Sequence, residues 1–351
     1  MKWRIRPAMT LLGTLAGLFL LVMAPTAKAQ MAPDFHAWPK FLAPWQLAVV
    51  VNDADPVSRT LADYYLQARH VPAQNLVHVQ LPGSPHTLTP EAFGALRDSI
   101  ERQLPQGIEA LLLVWTAPYA VACNSITSAL TLGLQPDLCL NSCARTRASR
   151  YFDSRAALPS NAHLRLAMLL PALSVEEGKA LIDRGVASDS AMPEGTAYLL
   201  ATSDKARSSR AALFPPSGEL QEPHLKIERM QADFIEGKAD VMFYFTGALR
   251  VPKLETLHFL PGAIADHLTS TGGDLLGADQ MSALRWLQAG ATASYGTVSE
   301  PCNYPQKFPS PAVLLRHYLA GESAIEAYWK SVAWPAQGLF IGEPLAAPYR
   351  H

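Results

Sequence analysis

Strand-length runs built only of apolar residues alternate in this chain with helix-length amphipathic ones, and few folds accept that alternation. The run LAVVV at 47–51 has no polar side chain, as a strand buried on both faces of a parallel sheet requires. A loop rich in capping residues follows, Asn52-Asp53-Ala54-Asp55-Pro56. Residues 57–69 then carry Leu61, Tyr64, Tyr65 and Ala68 at helical spacing. Val71-Pro72 ends that helix, and 76–79 reads as a second strand. Thr89-Pro90-Glu91 opens another helix with an N-cap threonine and a proline at its first position. Residues 108–115 return to a buried strand. Units connected this closely predict an α/β fold, with a mostly parallel sheet flanked by helices on both faces.

Farther along, 164–170, 196–201, 241–245, 291–295 and 339–341 read as strands, and 124–132, 174–189, 312–319 and 324–332 as helices. Residues 136–155 read as a loop. The Ser-, Pro- and Arg-rich stretch 205–223 reads as an exposed excursion. Asp266 and His267, ahead of the turn at Gly272-Gly273, are assigned to a helix, where neighbours do not share a face. Tyr328, Trp329 and Trp334 are expected to pack as core against the last strand. The expected organisation is a first α/β unit over 45–155 and a second over 160–351, either sharing one sheet or packed as two similar lobes.

The amino terminus sets an expected compartment. Lys2, Arg4 and Arg6 precede an apolar run from Met9 to Ala24, and Ala27-Lys28-Ala29 supplies a small-x-small cleavage site. This is the three-part pattern of a secretory signal peptide over 1–29, cleaved after Ala29. The run falls short of the roughly 20 apolar residues of a spanning helix, so a periplasmic or secreted protein without a membrane span is expected, beginning with an extended lead-in over 30–44. Cleavage takes four of the 29 basic groups and none of the 30 acidic ones, leaving a net charge of −5. A mildly acidic chain with no Lys/Arg run argues against nucleic acid as a partner. No G-x-G-x-x-G, P-loop or G-x-S-x-G pattern occurs, and no cofactor is expected.

Three strand-end loops gather polar groups: Asn52-Asp53-Ala54-Asp55, Thr202-Ser203-Asp204-Lys205, and Glu300-Pro301-Cys302-Asn303. Parallel strands end on one edge, where open α/β sheets place ligands. Asn52, Asp53, Asp204, Glu300, Asn303 and Lys307 are therefore the candidate ligand-binding residues. The four cysteines, Cys123, Cys139, Cys143 and Cys302, suit disulfides in an oxidising compartment. One arrangement pairs Cys139 with Cys143, about 6 Å apart on a helical turn, and Cys123 with Cys302. The other leaves Cys302 free as a nucleophile, with His258 or His267 as its base. A glycosidase would instead need two cleft carboxylates, for which Glu300 with Asp204 or Asp53 is the candidate pair. His258, Asp266, His267, Asp274 and Asp279 follow no metal-binding spacing, and no metal is expected.

Two long blocks carry a resemblance. VVVNDADPVSRTLADYYLQARHVP, and FLPGAIADHLTSTGGDLLGADQMSALRWLQAGATASYGTVSEPC with the ending EAYWKSVAWPAQGLFIGEPLAAP, together resemble a family of secreted bacterial proteins of unknown function. The second half is also similar, more distantly, to gingipain-type cysteine peptidases, which implies a caspase-like sheet. In those enzymes one strand ends in a turn carrying the catalytic histidine, and a catalytic cysteine follows the next strand. Here strand 241–245 ends in Thr246-Gly247-Ala248, and the region aligned with the cysteine, 256–261, contains none. The resemblance thus implies a peptidase-shaped binding protein with a peptide or envelope-polymer ligand, or a cysteine hydrolase with its site moved to Cys302 and His258 or His267.

Overall fold

The computed structural model describes residues 41–351, except Pro82, Ser84 and Arg147. The expected signal peptide and the lead-in up to residue 40 lie outside the described residues. The first half contains strands β1 (Leu47–Asn52), β2 (Leu76–Val79), β3 (Thr87–Leu88), β4 (Ala110–Val114), β5 (Ala120–Val121), β6 (Asn124–Ser125) and β7 (Leu166–Leu169). The second half contains β8 (Gly195–Ala201), β9 (Gly218–Gln221), β10 (His224–Gln231), β11 (Val241–Gly247), β12 (Phe259–Leu268), β13 (Ala293–Thr297) and β14 (Gly338–Gly342). Helices α1 (Pro56–Ala68), α2 (Pro90–Glu101), α3 (Ile126–Leu132), α4 (Asp137–Leu140) and α5 (Val175–Ser188) belong to the first half. Helices α6 (Leu284–Ala289), α7 (Pro311–Leu319) and α8 (Ala324–Ser331) belong to the second.

Eleven strands make one sheet, in the order β2-β1-β4-β7-β14-β13-β12-β11-β8-β10-β9. Both halves thus share a single sheet. β2, β1, β4 and β7 pair in parallel, as do β13, β12, β11, β8 and β10. Counted inward from its outer edge, each block runs second, first, third, fourth strand, with β13 as a fifth in the second block and the β9 hairpin arm left aside. β14 sits between the blocks, antiparallel to β13. The central strands are buried at every position, so both faces of the sheet are covered.

Local chemistry starts the helices where the sequence predicts. Asp55 caps α1 by accepting from Val57 N, Thr89 caps α2 from Ala92 N, and Ser174 caps α5 from Glu177 N. Each cap satisfies one of the amides that the first turn leaves unpaired. Trp329 is fully buried, stacked on Phe340 of β14 with ring centroids 4.2 Å apart, and its Nε1 donates to Ala167 O. That is the core role expected of it.

Both blocks open on the same rim. Arg184, near the end of α5, donates to the Ala291 carbonyl just ahead of β13. At the other side of the sheet, Ser299 after β13 donates to the Cys123 carbonyl beyond β4. The crevices where the strand order reverses, the usual ligand sites of such sheets, are filled by the protein itself. Between β1 and β4, Ser58 Oγ bonds the Val114 carbonyl and accepts from Asn52 N. Between β8 and β11, Thr202 Oγ1 donates to Gly247 O, 2.6 Å away. The Arg207 carbonyl lies where a Cβ on Gly247 would fall.

Two local expectations are corrected. Residues 205–223 are not simply an exposed excursion. They contain a 3₁₀ segment, Arg207–Leu213, that buries Arg210, and the strand β9. Asp266 and His267 belong to strand β12, not to a helix. They still point apart, because successive strand residues face opposite sides of a sheet.

Candidate functional site

The rim brings several of the candidate residues close together, but binds most of them into the structure. Cys302 is bonded to Cys143, and Cys123 to Cys139. The expected Cys139–Cys143 pair does not form. α4 stops at Leu140 and Asn141 is extended, so the two cysteines do not share a helical turn. The two bridges instead chain the loop after β4 to the loop after β13. All four cysteines are consumed, which removes the free thiol that a Cys302 nucleophile requires. Two disulfides belong with an oxidising, extracytoplasmic setting. Thiol titration of the unreduced protein in denaturant is expected to find no reactive sulfur; one equivalent of labelled cysteine would contradict this pairing.

The Glu300–Asn303 turn is held as a scaffold. Cys302 (φ 58°) and Asn303 (φ 53°) both occupy the left-handed region, which non-glycine residues adopt only when their surroundings hold them there. Glu300 Oε1 accepts from Cys302 N at 2.7 Å, and Gln337 Nε2 donates to Glu300 O at 2.8 Å. Asn303 Oδ1 accepts from Ser209 Oγ at 2.6 Å, tying this turn to the segment after β8. Lys307 is buried, and its Nζ donates to Ser142 O at 2.7 Å. Burial pulls its ammonium down to about 8, against the opposing pull of Glu300.

Neither candidate base is placed for work with Cys302. His267 is buried, with Trp286 Nε1 donating to its Nδ1 at 2.9 Å and the Met281 carbonyl 3.0 Å from its Nε2. This pattern fixes a neutral ring that donates from Nε2, with no nitrogen left for a substrate. Burial lowers its pKa to about 3. His258 is exposed but lies before β12, where its carbonyl accepts from Val241 N at the start of β11. It is therefore on the amino edge, across the sheet from the rim. For the same reason, residues 256–261 do not follow the strand after β11 but lead into it, since β12 begins at Phe259. The next strand ends at Leu268, and its turn reads Thr269-Ser270-Thr271-Gly272-Gly273.

The remaining carboxylates and Asn52 serve local roles. Asn52 is buried: its Oδ1 accepts from Leu81 N and Ala54 N, and its Nδ2 donates to Leu81 O. Asp204 accepts from Arg207 N at 3.0 Å and pairs with the Arg207 guanidinium at 2.8 Å. The Arg207 amide, followed by its side chain, holds this carboxyl below its ordinary range. Asp53 pairs with His78 on β2. Glu300, Asp204 and Asp53 are thus each engaged with separate neighbours.

What the rim offers a ligand lies beside these residues. A hollow of about 460 Å³ opens between the loops after β7, β11 and β12, lined among others by Leu173, Leu276, Met281, Arg250 and Arg285. Leu173 is 54% exposed, and Leu249 and Leu276 are 43% exposed each. Leu173 and Leu276 line the hollow, and Leu249 directly precedes its Arg250, so exposed apolar side chains cluster there rather than lying scattered. Arg250 donates to the Ala278 and Asp279 carbonyls, and Arg285 to Gln288 Oε1. Neither guanidinium pairs with a carboxylate among the described residues.

Sequence reasoning did not single out this hollow. Its clearest trace is Leu275-Leu276, an apolar pair set between Gly273 and Gly277 in a loop. Gly273 is required there: the Gly296 carbonyl of β13 occupies the space a Cβ would take, and Gly273 N donates to Thr297 O. No helix among the described residues is long and apolar enough to cross a membrane. Compared with protein-family models, with curated proteins and with solved structures, the chain has no match in any of the three.

Proposed function

We propose that this is an exported binding protein that uses a caspase-like sheet as a scaffold and holds peptides at the rim hollow without cleaving them. The observation that carries this reading is the pairing of exposed leucines with two guanidiniums that have no carboxylate partner. Apolar walls with a few convergent polar groups are the usual make-up of a ligand site, and guanidinium forks suit carboxylates. The fitting ligand is a peptide segment with a bulky apolar side chain beside a carboxylate. The distant likeness to gingipain-type peptidases supports a peptide, because the hollow lies at the ends of β11 and β12. Those are the strand ends where such enzymes carry their histidine and cysteine. Here they end in Thr246-Gly247 and Leu268-Thr269, and Cys302 is held in a disulfide.

Fluorescence anisotropy with a labelled leucine-rich tetrapeptide, as free acid and as C-terminal amide, tests the reading. The acid is expected to bind at least tenfold tighter. In an Arg250→Glu/Arg285→Glu variant the preference disappears, and neither peptide is hydrolysed. Equal binding of acid and amide by the unmodified protein would sink the proposal.

A further inference from the structure

Asp53, a candidate from the sequence, borders a second hollow at the outer edge of the sheet, away from the rim hollow. It has a volume of about 510 Å³ and lies between β2 and α2, with Val79, Leu81, Leu88, Ala92 and Leu96 among its apolar walls and Asp53, His78, Gln80 and Ser99 as its polar lining. Asp53 Oδ1 lies 2.9 Å from His78 Nδ1. The pair is positioned from several sides. Asp53 N donates to Val79 O. Gln103 clamps the edge strand, its Oε1 accepting from His78 N and its Nε2 donating to His78 O. Arg59 donates to the Asp53 main-chain carbonyl and makes no ion pair with the carboxylate.

With the imidazole neutral, this arrangement leaves two acceptors open. Asp53 Oδ2 and His78 Nε2 make no hydrogen bond among the described residues, and both side chains are accessible, at 30% and 55%. In the neutral ring, with Nδ1–H donating to the carboxylate, Nε2 presents a lone pair. No other charged residue lines the hollow. A cleft with greasy walls, an anionic end and a surplus of acceptors favours a guest that is apolar at one end and a cationic donor at the other.

We infer that this hollow binds a primary ammonium with an apolar body. The ammonium donates to Asp53 and His78, and the hydrocarbon lies between β2 and α2. The site stands independently of the rim hollow. A bare inorganic cation would leave the walls uncovered, and a carboxylate would meet Asp53 as a like charge.

The test uses the full mature protein at neutral pH and three probes of similar shape: 2-phenylethylamine, 2-phenylethanol and 3-phenylpropionate. Binding is read from the methyl shifts of Leu88 and Leu96 by NMR. The amine is expected to bind at least tenfold tighter than the alcohol, with the acid weakest. Asp53→Asn is expected to reduce amine affinity at least tenfold and leave the alcohol unchanged, with thermal unfolding confirming that the variant is folded. Leu96→Trp, which fills the hollow from the wall, is expected to abolish binding of both. Arg250→Glu/Arg285→Glu should alter none of these affinities. Equal affinity for amine and alcohol, no movement of the Leu88 and Leu96 methyls, or full amine affinity in Asp53→Asn would each overturn the inference.

Discussion

Replacing Arg210 with alanine is expected to cost about 3–5 kcal/mol of stability, the usual result of stranding one member of a buried ion pair. Arg210 and Asp266 are each 1% exposed and are paired through Nη1 and Oδ1. Nη2 donates to Thr246 O at 2.9 Å, and the guanidinium lies 5.5 Å from the centre of the Phe245 ring. On the other side, Tyr328 Oη is 3.4 Å from Asp266 Oδ2. Removing the guanidinium leaves a carboxylate with one weak partner and opens space under the 3₁₀ segment that closes the β8–β11 crevice. Burial already pushes the Asp266 carboxyl upward, with Arg210 opposing it, so the truncated protein escapes part of the cost by protonating Asp266. Arg210→Met/Asp266→Leu removes both charges and retains volume. It is expected to recover most of the loss, because paired charges repay their own desolvation poorly. Urea unfolding of the single and double variants measures this. A single variant within about 1 kcal/mol of the parent would mean that the pair is not the keystone described here.

Arg210 also shows where the sequence was readable and where it was not. Strands such as 47–51 and 241–245 announce themselves because burial on both faces forbids polar residues. Helices announce themselves through Asp55, Thr89 and Ser174, whose side chains satisfy amides within three residues. These are local rules, and they located a mostly parallel α/β sheet with many of its strands and helices, although β10 and β12 escaped them. Arg210 sits among serines, arginines and prolines, a composition that reads as solvent-exposed. Its partner is 56 positions away, and no local pattern encodes such a pairing. The disulfides failed for the same reason. Cys139 and Cys143 look like neighbours on a helix, but α4 ends between them, and the bridge to Cys302 spans 159 residues. The candidate site was half legible. The strand-end loops do gather on one rim, where Asn303 meets Ser209 and Cys302 meets Cys143. Most of their polar groups are nonetheless engaged by local neighbours, as Asn52 is by Leu81 and Asp204 by Arg207. The rim's guanidiniums without a carboxylate partner, Arg250 and Arg285, and the exposed Leu173 and Leu276 beside them come from three loops and the start of α6, which only the fold brings together.

His267 should make the protein acid-sensitive over a defined range. Its pKa is about 3 in the folded protein against an ordinary 6.5, with burial the leading cause. The folded state therefore favours the neutral ring, and the unfolded chain takes up the proton first. The stability this residue contributes is complete above about pH 6.5 and is lost as the pH falls toward 3. The slope is about 1.4 kcal/mol per pH unit, and the whole interval amounts to roughly 4–5 kcal/mol. Glutamine at 267 retains one donor for the Met281 carbonyl and one acceptor for Trp286 Nε1, but does not titrate. Unfolding free energies of the parent and His267→Gln, measured in urea between pH 4 and 7, should converge as the pH falls, at about that slope. Carboxylates and the other histidines titrate in both proteins, so the difference isolates this ring. Parallel curves would show that the imidazole protonates in place without penalty, as it could only if water or a carboxylate reached it. In that case His267 would again be available for proton transfer. A converging pair of curves makes it a neutral strut between β12 and α6 across the whole physiological range, and a neutral strut cannot serve as the acid or base of a hydrolase.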